Sequence, residues 1–309
     1  MEGYWDKCLY LASSKPDYLA LDWQSKQDQL WSEILKDSSF GPYPNPAGIE
    51  FESVLTSFDD EWDVMPAGRL KYIHSVGSIC PFVVNIAADS PYSGMFKSGE
   101  SHGFIRMGSA TPIGYLLGVT PGIGIKFLRS GVKSANFVAL NQLAKMDDNR
   151  HNFFAVPLRN HLPEDVPIPL IPVALKFCQA SKCISKVGLS DVCKYDQDGN
   201  EAANLVFPFM VTFEPTGEVT FTDDYLELPE FMAQWDTIQP GTNLYTLKAH
   251  SSPEDTEGTV LGQVTTTDKC VSSNFGDTRM FFQHQRIEED KELRPEWAAE
   301  YDAKCPNYC

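Results

Sequence analysis

The sequence predicts an α+β protein in which an antiparallel β core is flanked by N- and C-terminal helices. Three observations predict it. The chain has 309 residues, 42% of them hydrophobic and 22% charged, which is enough apolar material for a sizeable core. Between about 70 and 270 the apolar residues fall in short runs bounded by Gly, Pro, Ser or Asp, as in an antiparallel meander or barrel. At both ends the period changes to that of a helix. The expected organisation is one domain over 1–309, with a helix and arm over 1–69, a β core with insertions over 70–270 and a helical segment over 271–309.

Taken in order, residues of about 17–36 form an amphipathic helix, with Asp17 able to cap it and Leu30, Trp31, Ile34 and Leu35 on its apolar side. The stretch GPYPNPAG at 41–48 breaks regular structure. Strands are then expected at LKYIHSV, CPFVVNIAA, GFIRMG, GIGIKFLR and ANFVAL, and again at IPVALKF, NLVFPFMVTF, GEVTFT, NLYTLKAH and TVLGQVTTT. Residues 142–169 are polar and read as a long excursion between the two blocks. The closing RMFFQHQRIEEDKELRPEWAAEYD reads as helix interrupted at Pro295.

Charge and composition exclude several classes. With 25 Lys+Arg against 42 Asp+Glu the formal net charge is −17, a field that repels phosphate backbones and anionic lipid, so no nucleic-acid partner is expected. Apolar stretches such as PFVVNIAA stop well short of the roughly twenty residues of a membrane helix. The opening MEGYWDKCLYLAS has no basic start followed by an apolar run, so no secretory signal is expected and the chain reads as soluble. The eight cysteines contain no C-x-x-C and no zinc-finger spacing. Cys178, Cys183 and Cys193, with the C-terminal CPNYC, suit disulfides in an oxidising compartment; buried free thiols, Cys80 among them, suit a reducing one. The compartment stays open.

Several short signals fail. Gly122 and Gly124 begin a G-x-G, but Phe127 stands where a dinucleotide loop needs its third glycine, and the segment has the pattern of a strand. DQDGNE at 196–201 imitates a calcium loop, yet Glu201 takes the glycine position and Phe207 that of the bidentate carboxylate. Asp198–Gly199 therefore reads as a tight hairpin turn. The acidic run FDDEWD at 58–63 reads as a solvated loop.

His74 lies in RLKYIHSVGS, and by itself suits a hydrogen-bonded core histidine. The segments around it say more. Lys71, His74 and Gly77 form K-x-x-H-x-x-G, GFIRMGSAT carries Arg106, and TPGIGIKFLRSGVKSANFVAL carries Gly122, Lys126, Phe127, Gly131 and Asn136. In this order they resemble the catalase segments that bear the distal histidine, a propionate-binding arginine and the distal asparagine. The chain is therefore identified, by resemblance over about 70–141, as a divergent member of the catalase-like superfamily, which includes catalase-related allene oxide synthases.

The resemblance implies a catalase-type antiparallel β-barrel holding haem b, with His74 as acid–base, Asn136 as the residue that orients peroxide, and Arg106 and Lys71 at the propionates. It departs from the family at the proximal ligand. Aligning Asp277–Thr278 with the family's Asp-Thr puts Phe275 in place of the iron-binding tyrosine, against the cofactor but unable to ligate it. Aligning Arg279 with the family's arginine leaves Gln283 at the tyrosine, next to His284, an imidazole able to serve as the metal ligand. The activity implied is a haem-dependent oxidoreductase of peroxidase or hydroperoxide-processing type, acting on peroxide or on organic hydroperoxides. The alternative is a haem-free protein of the same fold that binds a small apolar ligand or a protein partner. The resemblance also admits a homo-oligomer.

Overall fold

A computed structural model describes residues 19–38, 76–109, 121–141, 183–185, 188–219 and 235–272. In chain order these hold helix α1 (Trp23–Ser38), strands β1 (Val76–Ile86), β2 (Gly99–Ser109), β3 (Pro121–Phe127), β4 (Ala135–Asn141) and β5 (Cys183–Ser185), the single-turn helix α2 (Leu189–Val192), and strands β6 (Met210–Pro215), β7 (Asn243–His250), β8 (Thr259–Thr266) and β9 (Val271–Ser272). Among the described residues no helix is long and apolar enough to cross a membrane.

Every strand pairing is antiparallel. The order is β2-β3-β4-β5-β6-β7-β8-β1-β9, and β1 also pairs with β2, so the sheet curls round until its ladder meets its starting strand. The seam lies on β1: β2 runs along one edge, while β8 covers Phe82–Val84 and β9 covers Ser78–Ile79 on the other. Pro81 sits where that second edge passes from β9 to β8. Its carbonyl accepts from Thr267 N–H on that side, so the missing proline donor would have faced the gap in the ladder.

Alternation separates the two faces of the wall over β1–β4, while register shifts in β7 put the neighbours Leu244 and Tyr245 in the same core. Inward go Cys80, Phe82, Val84, Ile105, Met107, Ile123, Ile125, Phe127, Phe137, Val211, Phe213, Tyr245 and Leu247, all in one buried cluster. A relay of rings crosses this interior: Phe82 to Phe127 at 5.5 Å, Phe127 to Phe137 at 5.9 Å, Phe137 to Phe213 at 5.9 Å and Phe213 to Tyr245 at 6.0 Å between centroids. The barrel's inside is thus packed with side chains, as small barrels are.

Helix α1 lies outside. Leu30 and Ile34 join Ile79, Phe104, Leu128 and Val271 in a second cluster on the outer wall. The buried Lys26 ammonium donates to the carbonyls of Arg129 and Val132 at 2.7 and 2.6 Å, tying α1 to the β3–β4 turn. Asp17 lies outside the described residues, and the helix is capped by Asp22, whose carboxylate accepts from Ser25 N–H at 2.7 Å, the geometry of an N-cap. These bonds also hold its carboxyl below the usual range.

Other expectations shift as well. NLVFPFMVTF is not one strand; β6 begins only at Met210, and Leu205, Val206 and Phe207 are exposed. The β structure runs past 270, since Val271 pairs with Ile79 and its carbonyl accepts from the Ser78 hydroxyl at 3.0 Å. Asp198–Gly199 does form a turn: Gly199 has φ +79° and Tyr195 bridges Glu201 across it. Gly122 and Gly124 lie in β3, as their strand pattern predicts. The expected strand IPVALKF, the excursion over 142–169, the acidic run at 58–63 and the C-terminal helix lie outside the described residues.

Candidate functional site

The outer face of β1–β4 gathers the polar residues that the interior excludes. Register sets them in rows. One row reads Gly77, Gly108, Gly122; the next Ile79, Arg106, Gly124, Val138; the third Pro81, Phe104, Lys126, Asn136. Glycines at adjacent register positions on three strands leave a patch of wall with no side chains standing on it. Arg106 and Lys126 border it, and Asn136 closes the far corner.

Arg106 is 4% exposed and its guanidinium lies against Gly77. A Cβ on Gly77 would come 2.9 Å from the guanidinium carbon and 2.3 Å from the Met107 carbonyl oxygen. The absence of a side chain at Gly77 is therefore what lets the arginine lie flat on β1. Lys126 is fully buried on the same face. Two cations buried so close together require partners, because an unpaired buried charge costs several kcal/mol or more, roughly, and neither residue is without one.

Asn136 is 3% exposed, yet its amide is poorly used. Nδ2 donates to the Ser134 carbonyl at a long 3.4 Å, while Oδ1 has no partner. The Ser134 hydroxyl, two residues back on the same face, is also buried without a partner. Leaving one such group unsatisfied costs about 1–3 kcal/mol, so two neighbouring ones mark a place where the wall is not finished by its own hydrogen bonds. Strand spacing of about 4.8 Å and a rise of about 3.4 Å per residue put the Arg106 and Asn136 backbones on the order of 12 Å apart across this face.

The turn below the site is braced. Arg129 Nε donates to the Lys133 carbonyl at 2.6 Å, its Nη2 lies 3.6 Å from Asp191 Oδ2, and the guanidinium covers the Tyr195 ring at 5.1 Å. Burial pushes the Arg129 pKa down and Asp191 opposes that shift. On sequence alone Lys97, Lys126, Arg129 and Lys133 read either as solubilising surface charges or as cations that offset the negative field for a carboxylate substrate. Lys97 and Lys133 are exposed, but Lys126 and Arg129 are buried.

Two other ionisable groups are structural. His250 is buried with both nitrogens engaged: Nδ1 donates to the Asp255 carbonyl at 2.6 Å, and Nε2 accepts from the Thr212 hydroxyl at 3.0 Å. Burial raises the Cys193 thiol to about 12, which makes it unreactive.

Of the residues singled out by sequence, Arg106 and Asn136 share this face. His74, Lys71, Phe275 and His284 lie outside the described residues. Among the described residues no group of three or more His, Cys, Asp or Glu is placed to hold a metal ion. Sequence reading missed that Gly108, Gly122 and Gly124 extend the patch begun by Gly77. The signal was there: Gly122, Gly124 and Lys126 recur at i, i+2, the spacing of one strand face. No protein-family model matches the chain, and no curated protein matches it.

Proposed function

We propose that the chain is a catalase-like, haem-dependent oxidoreductase of the peroxidase or hydroperoxide-processing type, acting on hydrogen peroxide or organic hydroperoxides. One observation carries the reading: a buried guanidinium and a buried, unpartnered amide oxygen stand on one glycine-paved face of the barrel wall. The residues present suit the group in kind. A glycine floor accepts a flat macrocycle, Arg106 suits a propionate because a guanidinium pairs with carboxylate in two parallel hydrogen bonds, and Asn136 has hydrogen-bonding capacity to spare.

In this reading Arg106 anchors the cofactor, with Lys71 as a second cation at its carboxylates. Asn136 orients the bound hydroperoxide through its amide. His74 takes a proton from one peroxide oxygen and returns it to the other, a task suited to an imidazole near neutral pH and worth roughly 10²–10⁴ in rate. Haem, when bound, supplies the cleavage of the O–O bond. In the same reading Phe275 would border the haem and His284 would be the residue offered to its iron.

The test is the absorption spectrum of the full chain supplied with haem. The reading requires a Soret band, weakened in Arg106→Leu and retained in Asn136→Leu with reduced peroxide turnover. A colourless protein that takes up no haem overturns it. A second reading rests on Phe275, which cannot ligate iron: a haem-free protein of the same fold that holds a small apolar ligand or a protein partner. It predicts a bound non-haem ligand or partner in the native mass spectrum of protein from its natural source.

A further inference from the structure

On the inner side of the β1 seam, away from the face just described, two thiols meet. Antiparallel pairing sets Ser272 opposite Ser78 and Val271 opposite Ile79, so the next residues in register are Cys270 and Cys80. Directly opposed residues in antiparallel strands have Cα atoms about 4.5–5.5 Å apart, inside the roughly 4.4–6.8 Å that a disulfide spans. Both side chains belong to the main core cluster, at 0% and 2% exposure, so neither can swing to another partner. Their thiols are free in this structure and close enough for Cys80 to help raise the pKa of Cys270. Neither serves the site proposed above.

We propose that Cys80 and Cys270 are the site of a structural disulfide, which joins β1 to the start of β9 when the chain folds in an oxidising compartment. Among the described residues two register pairs and the Ser78 hydroxyl bond to the Val271 carbonyl otherwise hold β9 to β1, and most of the chain lies between the two cysteines. A link here therefore closes both a thin seam and a long loop, the case in which the entropic account of disulfides gives the largest stabilisation. The oxidant is a low-molecular-weight disulfide such as oxidised glutathione. One cysteine thiolate attacks a sulfur of that disulfide and expels one glutathione thiolate. The second cysteine thiolate then attacks the mixed disulfide; the Cys80–Cys270 bond forms and the second glutathione leaves. Two cysteine thiols are oxidised, one glutathione disulfide is reduced to two thiols, and the two protons pass to the glutathione released. Burial, with Cys80 and the nearby Asp236 carboxylate adding to it, holds the Cys270 thiol well above its usual pKa. Thiolate is therefore scarce once the barrel has closed, so the exchange belongs to the folding chain.

The full chain, produced in an oxidising compartment, is alkylated while denatured, digested without reduction and mapped by mass spectrometry. The expected result is one linked pair of peptides carrying Cys80 and Cys270, with Cys193 alkylated. Dithiothreitol should lower the Tm of the unaltered chain and leave that of a Cys80→Ala/Cys270→Ala double variant unchanged. Alkylated Cys80 and Cys270, or either one linked to a different cysteine, overturns the proposal. If the double variant does not fold, the peptide map of the unaltered chain decides alone.

Discussion

The Arg106 guanidinium lies flat against Gly77, its carbon 2.9 Å from where a Cβ on that residue would stand. Two segments that sequence reading singles out separately, the K-x-x-H-x-x-G run and the arginine of β2, are thus in direct contact. The contact exists because one of them ends in a residue with no side chain.

Gly77→Ala should therefore damage both stability and the site. The new methyl would also meet the Met107 carbonyl oxygen at 2.3 Å, a backbone atom that cannot move aside without disturbing the β1–β2 ladder. Overpacking of this kind costs about 1–3 kcal/mol. Denaturant unfolding should show that loss, and haem uptake in the same variant should fall with the displaced arginine. A variant as stable as the parent would mean that Arg106 is not held where it is described.

Asn136→Leu should separate stability from function. The amide oxygen is buried with no partner, so an apolar side chain of similar size removes an unsatisfied group. Replacing it should be neutral or stabilising by about 1 kcal/mol, while peroxide turnover falls. Thermal melts and initial rates on the same preparation check this. A strongly destabilised Asn136→Leu would reveal a structural hydrogen bond and remove the reason for assigning the residue a role in binding.

The pH response should point to His102. Its ring stacks on Trp23 of α1 at 4.0 Å between centroids, and its Nε2 lies 3.3 Å from Glu100. Burial pushes its pKa below the usual value, and Glu100 only partly restores it. The unfolded chain therefore binds the proton more readily than the folded one. The contribution to stability is present above the unfolded value, about 6.5, and is lost as pH falls below it. Denaturant midpoints at pH values on either side of about 6.5 should fall further in the parent than in His102→Gln, the carboxylates being common to both. Equal falls would show that the ring titrates as it does in water.

Much of the wall was legible because strands bury alternate residues. GIGIKFLR, ANFVAL, NLYTLKAH and TVLGQVTTT fall in strands, within a residue or two at their ends, and GFIRMG falls in a strand that begins four residues earlier. Of the site, Arg106 and Asn136 could be named, but not their setting. Burial of Lys126 follows from strand register and not from its own neighbours in sequence. The short β5 escaped notice because three residues carry no period. The pairing of Cys80 with Cys270 depends on a long-range register that no local pattern encodes.

Over NLVFPFMVTF the expected continuous strand begins only at Met210, which leaves Phe207 in water while Phe127 of β3 is buried. Phe127 is 1% exposed and packs against the rings of Phe82, Phe96 and Phe137, so it joins β3 to β1, to β4 and to the turn between β1 and β2. Phe207 is 49% exposed, in the segment that Ser93 holds outside β6 through its hydroxyl, which donates to the Asn204 carbonyl at 2.6 Å and accepts from Val206 N–H at 2.9 Å. Truncating a buried ring leaves a cavity that the surrounding aromatics cannot close, so Phe127→Ala should cost about 3–5 kcal/mol. Phe207→Ala should change stability by no more than about 0.5 kcal/mol, since its ring already meets water. Parallel denaturant titrations of the two variants measure the difference directly. Similar costs at both positions would mean that Phe207 is buried in the folded protein, and that 204–213 is the continuous strand its hydrophobicity suggests.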